Sequence, residues 1–513
     1  MRINHRPFFI LLAVGAILRL AMNSGVSSPD SFFYTQHAAD LLQGKFNMGI
    51  QTYVDFYRYV VWMPITLFFK LFGINDMVAI MWPFLCGVGS LVVIYLLGNL
   101  LFNRTTAWLA VFILAFLPLE VIVSTSVLSD VFVEFFSGWA IFLFLRQELV
   151  STRRSWVIYA FAGVLMGLAI NARFSTVILG LFFAGYCLWK KAFRWHYVWF
   201  ACGVIVVIVF SLAISWWCTG DWFFAYKVSN QWFRGLHATA KYDPAFQSYF
   251  ETLSLTYYPR SLLGLSRYGL ANFSFFFYLF LAAMIYSIAK KKKDMVILLI
   301  WVIPVFLFLQ FGFIDLKNRI PIHHDERYLT IIIIPMVLSV AAFLSEWRVT
   351  SEVKSGKTSA GIVILLLIIF ALSSLYGAFR IRKNLSVDAS PYKLAYERLK
   401  LLPLKPIYCI SRQWPLRLNF YFQYRLGYDY FENLRGGKLS YLKLVEGTPD
   451  YRSIQGYVVL HERYVYFDDY GHPLARRNDL PGYIYQLPAG WKLVDSFKTV
   501  DKGNTVSIYL CEP

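Results

Sequence analysis

The chain has 513 residues, 58% of them hydrophobic and 19% aromatic, with only 15% charged. Soluble domains carry nearer a quarter charged residues, so most of this chain belongs in lipid. The formal charge of +19 does not make it a nucleic-acid binder, because the basic residues come in short clusters between apolar runs, a pattern of membrane topology. Six cysteines are too few for a disulfide framework. Cys86, Cys187 and Cys202 fall in apolar runs and read as core, while Cys409 and Cys511 share the polar tail, where a bridge is open.

In chain order, the first apolar run, residues 7–22, crosses most of a bilayer and carries Arg2 and Arg6 on its N-terminal flank. The positive-inside rule puts the N-terminus in the cytoplasm and the next stretch, Ser27-Ser28-Pro29-Asp30-Ser31-Phe32-Phe33-Tyr34, just outside the opposite face. Two readings of Asp30 are open: an N-cap for a helix over 31–42, or an acid held at the surface for a substrate delivered by a lipid. Residues 77–97 return to a turn with Arg104, 106–119 go out, and 131–145 come back to Arg146, Arg153 and Arg154. Residues 156–170 lead out to Asn171-Ala172-Arg173, and 177–189 return to Lys190, Lys191 and Arg194. Residues 197–217 open a second long loop, and 273–289 return to Lys290-Lys291-Lys292-Lys293. Residues 295–313 go out, 329–344 return to Arg348, Lys354 and Lys357, and 360–379 go out last.

The reading is a polytopic α-helical membrane domain over 1–380 with about eleven spans, its outer-face loops being 23–75, 218–268 and 314–328. Each span is helical because lipid offers no partner for a bare backbone group. The acidic and aromatic clusters all fall on the outer face. Transporters usually keep polar groups at mid-membrane on broken helices. These spans are nearly free of charge and show no internal repeat, so the chemistry is placed at the outer surface. From about residue 380 the character changes. Residues 392–402 predict an amphipathic helix, and 406–411, 456–461, 482–486 and 506–511 predict short strands rich in Val, Ile and Tyr. Turns such as Arg435-Gly436-Gly437 separate them, giving a small α/β extracytoplasmic domain over 381–513. Asp468 and Asp469 read as a solvated turn before Gly471 rather than a cation site.

These residues resemble a family. Arg19-Leu20 ends the first span; Pro29-Asp30 follows, then a helix with Tyr34, Ala38 and Leu41-Leu42-Gln43-Gly44, then Met63-Pro64 and Phe68-Phe69-Lys70-Leu71-Phe72-Gly73. This is similar to the first outer loop of the GT-C class of membrane glycosyltransferases, in the branch of protein O-mannosyltransferases and the bacterial aminoarabinose transferase. Leu128-Ser129-Asp130, Gly167-Leu168-Ala169-Ile170-Asn171-Ala172-Arg173 and His323-His324-Asp325-Glu326-Arg327-Tyr328 match in the same order. The last resembles the His-Lys-Glu-x-Arg-Phe loop of the lipid-linked-oligosaccharide and GPI mannosyltransferases. The likeness covers roughly 7–380. One departure is that many relatives carry Asp-Glu where this chain has Asp30-Ser31, leaving a second acid to Asp130 or Glu120. No Asp-x-Asp is present in the loop, so no metal and no other cofactor is expected.

The resemblance implies transfer of a sugar from a polyprenyl-phosphate donor to a hydroxyl of a lipid, glycan or protein acceptor, with inversion at the anomeric carbon. Asp30 is the expected base and Asp130 its companion acid. Arg58, Arg173 and Arg327, with His324, Glu326 and Tyr328, are the expected binding set for the donor phosphate and sugar, since a guanidinium stays charged and grips phosphate oxygens in pairs. Plainer readings stand beside these. Arg327 and Glu326 form a surface ion pair, His323 and His324 are loop residues, Asp130 caps a helix, Arg19 snorkels to the interface, and Tyr257, Tyr258 and Trp232 belong to an aromatic belt. A lipid-linked-glycan ligase or polymerase, a flippase for lipid-linked sugars, and a receptor or scaffold binding through the tail are the rival functions. The outer-side sequon Asn384-Leu385-Ser386 is set against a C-terminus without an ER-retention signal, and a prokaryotic plasma membrane is favoured.

Overall fold

The computed structural model describes residues 6–46, 57–150, 155–191, 193–240, 257–265, 269–315, 320–322, 324–355, 358–409, 413–426, 441–444, 454–461, 490–499 and 505–512. The helices run α1 Arg6–Ala21, α2 Pro29–Leu42, α3 Tyr59–Phe72, α4 Asp76–Ala79, α5 Met81–Leu101, α6 Arg104–Phe116, α7 Pro118–Val123, α8 Ser129–Val150 and α9 Ser155–Ala172. A 3-10 turn, Phe174–Leu179, leads into α10 Gly180–Lys190, α11 Tyr197–Thr219, α12 Phe224–Ala240, α13 Tyr257–Leu262, α14 Gly269–Phe273, α15 Phe276–Ala289 and α16 Lys293–Phe311. A small hairpin, β1 Phe313–Asp315 with β2 Ile320–Pro321, and a second 3-10 turn, Glu326–Leu329, precede α17 Thr330–Ser355 and α18 Thr358–Leu399. The tail contributes β3 Ile407–Cys409, α19 Gln413–Tyr421, β4 Leu442–Leu444, β5 Gly456–His461, β6 Trp491–Lys498 and β7 Thr505–Cys511.

All eleven apolar runs fall on helices. Six of the helices described are long and apolar enough to cross a membrane: Met81–Leu101, Ser155–Ala172, Tyr197–Thr219, Asp294–Phe311, Glu326–Trp347 and Gly361–Leu399. The chain is an integral membrane protein. Local chemistry explains where several helices start. Asn75 and Asn103 cap α4 and α6, their side chains accepting from the amides of Val78 at 3.0 Å and Thr106 at 2.9 Å. Helices with no charged face still need close contact, and small residues supply it. A Cβ at Gly163 would lie 2.0 Å from the Phe200 carbonyl oxygen, and one at Gly203 2.1 Å from that of Ala160, so α9 and α11 meet backbone to backbone. One apolar core runs through the bundle from Phe8 to Phe370 and takes in Phe420 and Tyr424 of the tail.

Several expectations change. The boundary at 380 is not a break in secondary structure: α18 runs through it as one helix and absorbs the amphipathic helix expected over 392–402. The strands expected over 406–411, 456–461 and 506–511 appear as β3, β5 and β7. Three elements missed in the sequence, β4, β6 and α19, complete a five-stranded sheet of order β4-β3-β5-β7-β6, parallel among β4, β3 and β5 and antiparallel across β7. The expectations for 482–486, Asp468, Asp469 and the Arg435-Gly436-Gly437 turn lie outside the described residues. Cys409 and Cys511 are not bridged, because β5 separates their strands. Arg19 does not snorkel; it is wholly buried, donates to the Gly15 carbonyl at 3.2 Å and faces Glu120 and Glu134.

Candidate active site

Asp30 is not the N-cap. Helix α2 begins two residues earlier than expected, at Pro29, and Ser28 caps it by accepting from the Ser31 amide at 3.2 Å. Proline at the first helical position needs no partner for an N–H it lacks, and Asp30 is left with its carboxyl available. The Ser31 hydroxyl donates to the Val127 carbonyl at 3.1 Å, tying α2 to the segment that leads into α8. The residue standing where relatives carry a second acid is a tether.

Four distant stretches converge on that carboxyl. Asp30 Oδ2 accepts from Arg327 Nη1 at 2.9 Å. Arg327 is oriented from below by Asp325, which caps the 3-10 turn Glu326–Leu329: one oxygen accepts from the Arg327 amide at 3.0 Å, the other from Arg327 Nε at 2.8 Å. Asp130, wholly buried in the first turn of α8, hydrogen-bonds Arg173 and stands 3.9 Å from Arg327 Nε. The Arg173 guanidinium lies over the Tyr328 ring at 3.8 Å, and Arg58 Nη1 donates to the Tyr34 hydroxyl at 2.6 Å. Enclosure by protein pushes the Asp30 pKa up, but Arg327, Arg58 and Arg173 together outweigh it and hold the carboxyl below the ordinary aspartate range. Its side chain is still 37% exposed, against 23% for Arg327, so the pair is open to a ligand.

The stretch from Gly167 to Arg173 works as one device. Gly167 lets α9 close on α11, since a Cβ there would lie 2.7 Å from Val207 Cβ. Asn171 accepts from the Val60 amide at 3.1 Å and donates to the Tyr57 carbonyl at 3.2 Å, pinning the segment that carries Arg58. Arg173 then reaches Asp130. Beside these groups lies a cavity of about 440 Å³. Arg58, Arg173 and Tyr328 line its polar part, and Ile170, Val207 and Phe308 belong to a largely apolar wall.

His324 and Glu326 are engaged elsewhere. Glu326 accepts from the Tyr257 and Ser261 hydroxyls, both at 2.8 Å, and buried His324 stacks on Tyr257 with ring centroids 5.2 Å apart and lies 3.3 Å from the Gln310 carbonyl. They anchor the Arg327 turn to α13 rather than join Asp30. Tyr257 and Tyr258 are thus scaffold, not belt: Tyr258 is fully buried and donates to the Asp325 carbonyl at 3.1 Å. Glu120 faces Arg19 and Glu134. His323 and the side chain of Trp232 lie outside the described residues. Asp325 and Asn171 were visible only as letters within longer motifs. Nothing in their spacing marks the one as the support of Arg327 or the other as the anchor of Arg58.

Residues 59–216 match the family model described as dolichyl-phosphate-mannose-protein mannosyltransferase. That stretch holds Asp130 and Arg173 but not Asp30 or Arg327. No curated protein matches the chain by sequence. Among solved structures, ArnT from Cupriavidus metallidurans bound to undecaprenyl phosphate gives a TM-score of 0.60 at 14% identity, with 100% of both chains covered. Its apo state gives 0.57 at 15% identity and 98% coverage of each. The arabinofuranosyltransferase AftD from Mycobacteria gives 0.52 at 14% identity, covering 100% of this chain and 40% of AftD. The family-model match over part of the chain and the shared fold make this chain similar to membrane glycosyltransferases of the GT-C type. Identity this low speaks for the fold, and the roles of single residues rest on the geometry above.

Proposed function

We propose that the chain transfers a sugar from a polyprenyl-phosphate donor to an acceptor hydroxyl at the extracytoplasmic face of a prokaryotic plasma membrane, by direct displacement with inversion. The observation that carries this reading is the convergence of Asp30, Asp130 and Asp325 with Arg58, Arg173 and Arg327 beside a cavity with an apolar wall. The apolar part suits an isoprenoid chain, and Arg58 and Arg173 suit the phosphate where that chain ends. ArnT binds undecaprenyl phosphate within the same fold, which supports this choice of donor class. About eleven spans, a cytoplasmic N-terminus and an extracytoplasmic tail over 381–513 belong to the same reading, on the charge bias of the loops.

The chemistry follows from the shared guanidinium. As the glycosidic C–O bond breaks, negative charge gathers on the departing phosphate, and Arg173, Arg58 and Arg327 stand ready to stabilise it without reorganisation. Arg327 drawn toward phosphate loosens its bond to Asp30. The carboxylate, no longer held below its ordinary range, becomes a better acceptor for the hydroxyl proton as the acceptor oxygen attacks the anomeric carbon. Donor binding thereby activates the base. Asp130 keeps Arg173 in place from its buried position, and His324 and Glu326 hold the Arg327 turn. The test is turnover of a polyprenyl-phosphate sugar by the purified protein in lipid nanodiscs, beside Asp30→Asn. Retained turnover in that variant removes Asp30 as base, and failure of the native protein to act on any such donor removes the reading.

A further inference from the structure

A second cavity, of about 450 Å³, lies in the tail, between the C-terminal end of α18, the turn after α19 and β5. Its lining differs in kind from the first. It includes the rings of Tyr396, Phe422 and Tyr457 and the cations of Lys400, Lys405 and Arg425, with Lys400 Nζ 5.3 Å from the centre of the Tyr396 ring. Two of these cations are already neutralised, Lys400 by Glu397 and Lys405 by Glu512 at 2.8 Å. Arg425 is exposed and has no ion pair or side-chain hydrogen bond among the described residues. Aromatic rings set beside a planar fork made for carboxylate or phosphate recognise one class of small molecule well, a sugar bearing negative charge, and here Tyr396 and Phe422 meet edge to face with ring centroids 4.9 Å apart. The size is that of a ligand site.

The wall of this cavity is also tied to the helix that carries Asp30. Gln423 and Tyr424 adopt left-handed backbone with φ of 55° and 58°, which side chains bearing a Cβ rarely hold unless their surroundings fix them. The fixing contacts run to α2. The Tyr424 hydroxyl donates to Thr35 Oγ1 at 2.8 Å, Asn419 donates to Gln36 Oε1 at 3.0 Å, and Gln43 donates to the Gln423 carbonyl at 3.3 Å. On the same helix α19, buried Arg417 stacks over Tyr392 at 4.2 Å and donates to the Ser27 carbonyl at 3.1 Å, three residues before Asp30.

We propose that this tail cavity binds an anionic saccharide, the part of the acceptor remote from the reacting hydroxyl, with Arg425 taking the charge and Tyr396 and Phe422 the sugar faces. Only the word acceptor rests on the glycosyl-transfer reading; binding itself does not. The test is calorimetric titration of the full chain in nanodiscs of uncharged lipid, with no donor present. The probes are galacturonic acid trimer, mannose 6-phosphate, maltotriose, inorganic phosphate and glycerophosphoglycerol. The expected result is that the uronate trimer or the phosphorylated sugar binds at least about tenfold tighter than maltotriose or inorganic phosphate, and that the preferred one names the source of the charge. Arg425→Gln and Phe422→Ala, with melting temperatures matching the native protein, each weaken it by about tenfold or more. The proposal is overturned if neither charged sugar binds, if both variants leave binding unchanged, if inorganic phosphate binds as well as the sugars, or if glycerophosphoglycerol, a lipid headgroup, binds tightest. Donor turnover is read separately, so either proposal can fail without the other.

Discussion

Two clusters in this molecule are built from the same materials, arginine and carboxylate, and they are used in opposite ways. The outer one pairs Arg58, Arg173 and Arg327 with Asp30, Asp130 and Asp325, and Arg327 alone contacts three acids, at 2.9, 3.9 and 2.8 Å. The inner one sets Arg19 of α1 among Glu120 of α7 and Glu134 of α8, all within the bundle and at most 1% exposed. There, Arg19 Nε and Nη2 and both Glu134 carboxylate oxygens have no well-formed hydrogen bond among the described residues. Glycine lets the helices close around Arg19: a Cβ at Gly15 of α1 would lie 2.6 Å from Leu91 Cδ1 of α5, and one at Gly87 of α5 2.3 Å from Ser124 Cβ. A cation shared among several acids at an open surface can exchange one partner for a ligand. A cation sealed in the core cannot, and it fixes four helices, α1, α5, α7 and α8, in place. Asp130 and Glu134, one turn apart on α8, join the two clusters along one face.

The sharpest way to break that contrast is in the outer cluster. Asp30→Asn keeps the shape and a hydrogen-bond acceptor for Arg327 but loses the base. Its kcat should fall by ~10²–10⁴-fold, with the melting temperature close to native, because the site is half open. Arg19→Met should behave the other way round. It leaves two buried carboxyls without their cation, and unfolding in detergent should show a loss of about 3–5 kcal/mol. The triple change Arg19→Met, Glu120→Gln, Glu134→Gln should recover much of it. If Arg19→Met left stability intact while abolishing turnover, the inner cluster would belong to the chemistry and the contrast would be wrong.

How much of this was legible from the sequence follows the same division. That the apolar runs form helices, and that the motifs carrying Asp30, Asp130, Arg173 and Arg327 belong to one cluster, can be read from hydropathy, charge bias and motif order, because those signals are local. What could not be read are the pairings. That Ser28 rather than Asp30 caps α2 depends on where the chain leaves the first helix. That Arg19 turns inward depends on Glu120 and Glu134, which come from two other helices about a hundred residues on. Whether Glu326 meets phosphate or tyrosine is decided by α13, some seventy residues upstream, and no spacing rule reaches that far. The tail was legible as strands but not as a sheet, since β4 and β6 are specified by partners rather than by their own pattern.

A smaller effect tests the support under Arg327. Tyr257→Phe removes one of two hydrogen bonds to the Glu326 carboxylate, costing about 1.5–3 kcal/mol of local stability. Amide exchange over residues 324–329 should quicken, and donor KM should rise more than kcat falls. Unchanged exchange would mean that Ser261 alone holds the turn.

The smallest effect is the most discriminating, because it separates the empty site from the loaded one. Asp30 has a depressed pKa in the free protein. Its charged form is therefore fully present above the ordinary aspartate value of about 3.9, and is lost only as pH falls through the lower folded value. The profile of kcat/KM for the donor reports the free enzyme and should show no acid limb from Asp30 above that ordinary value. The profile of kcat reports the bound complex. If phosphate draws Arg327 away, the acid limb in kcat should move upward relative to kcat/KM, and Arg327→Gln should bring the two limbs together. Coincident limbs in the native protein would mean that Arg327 stays on Asp30 throughout, and that the base is not switched on by its substrate.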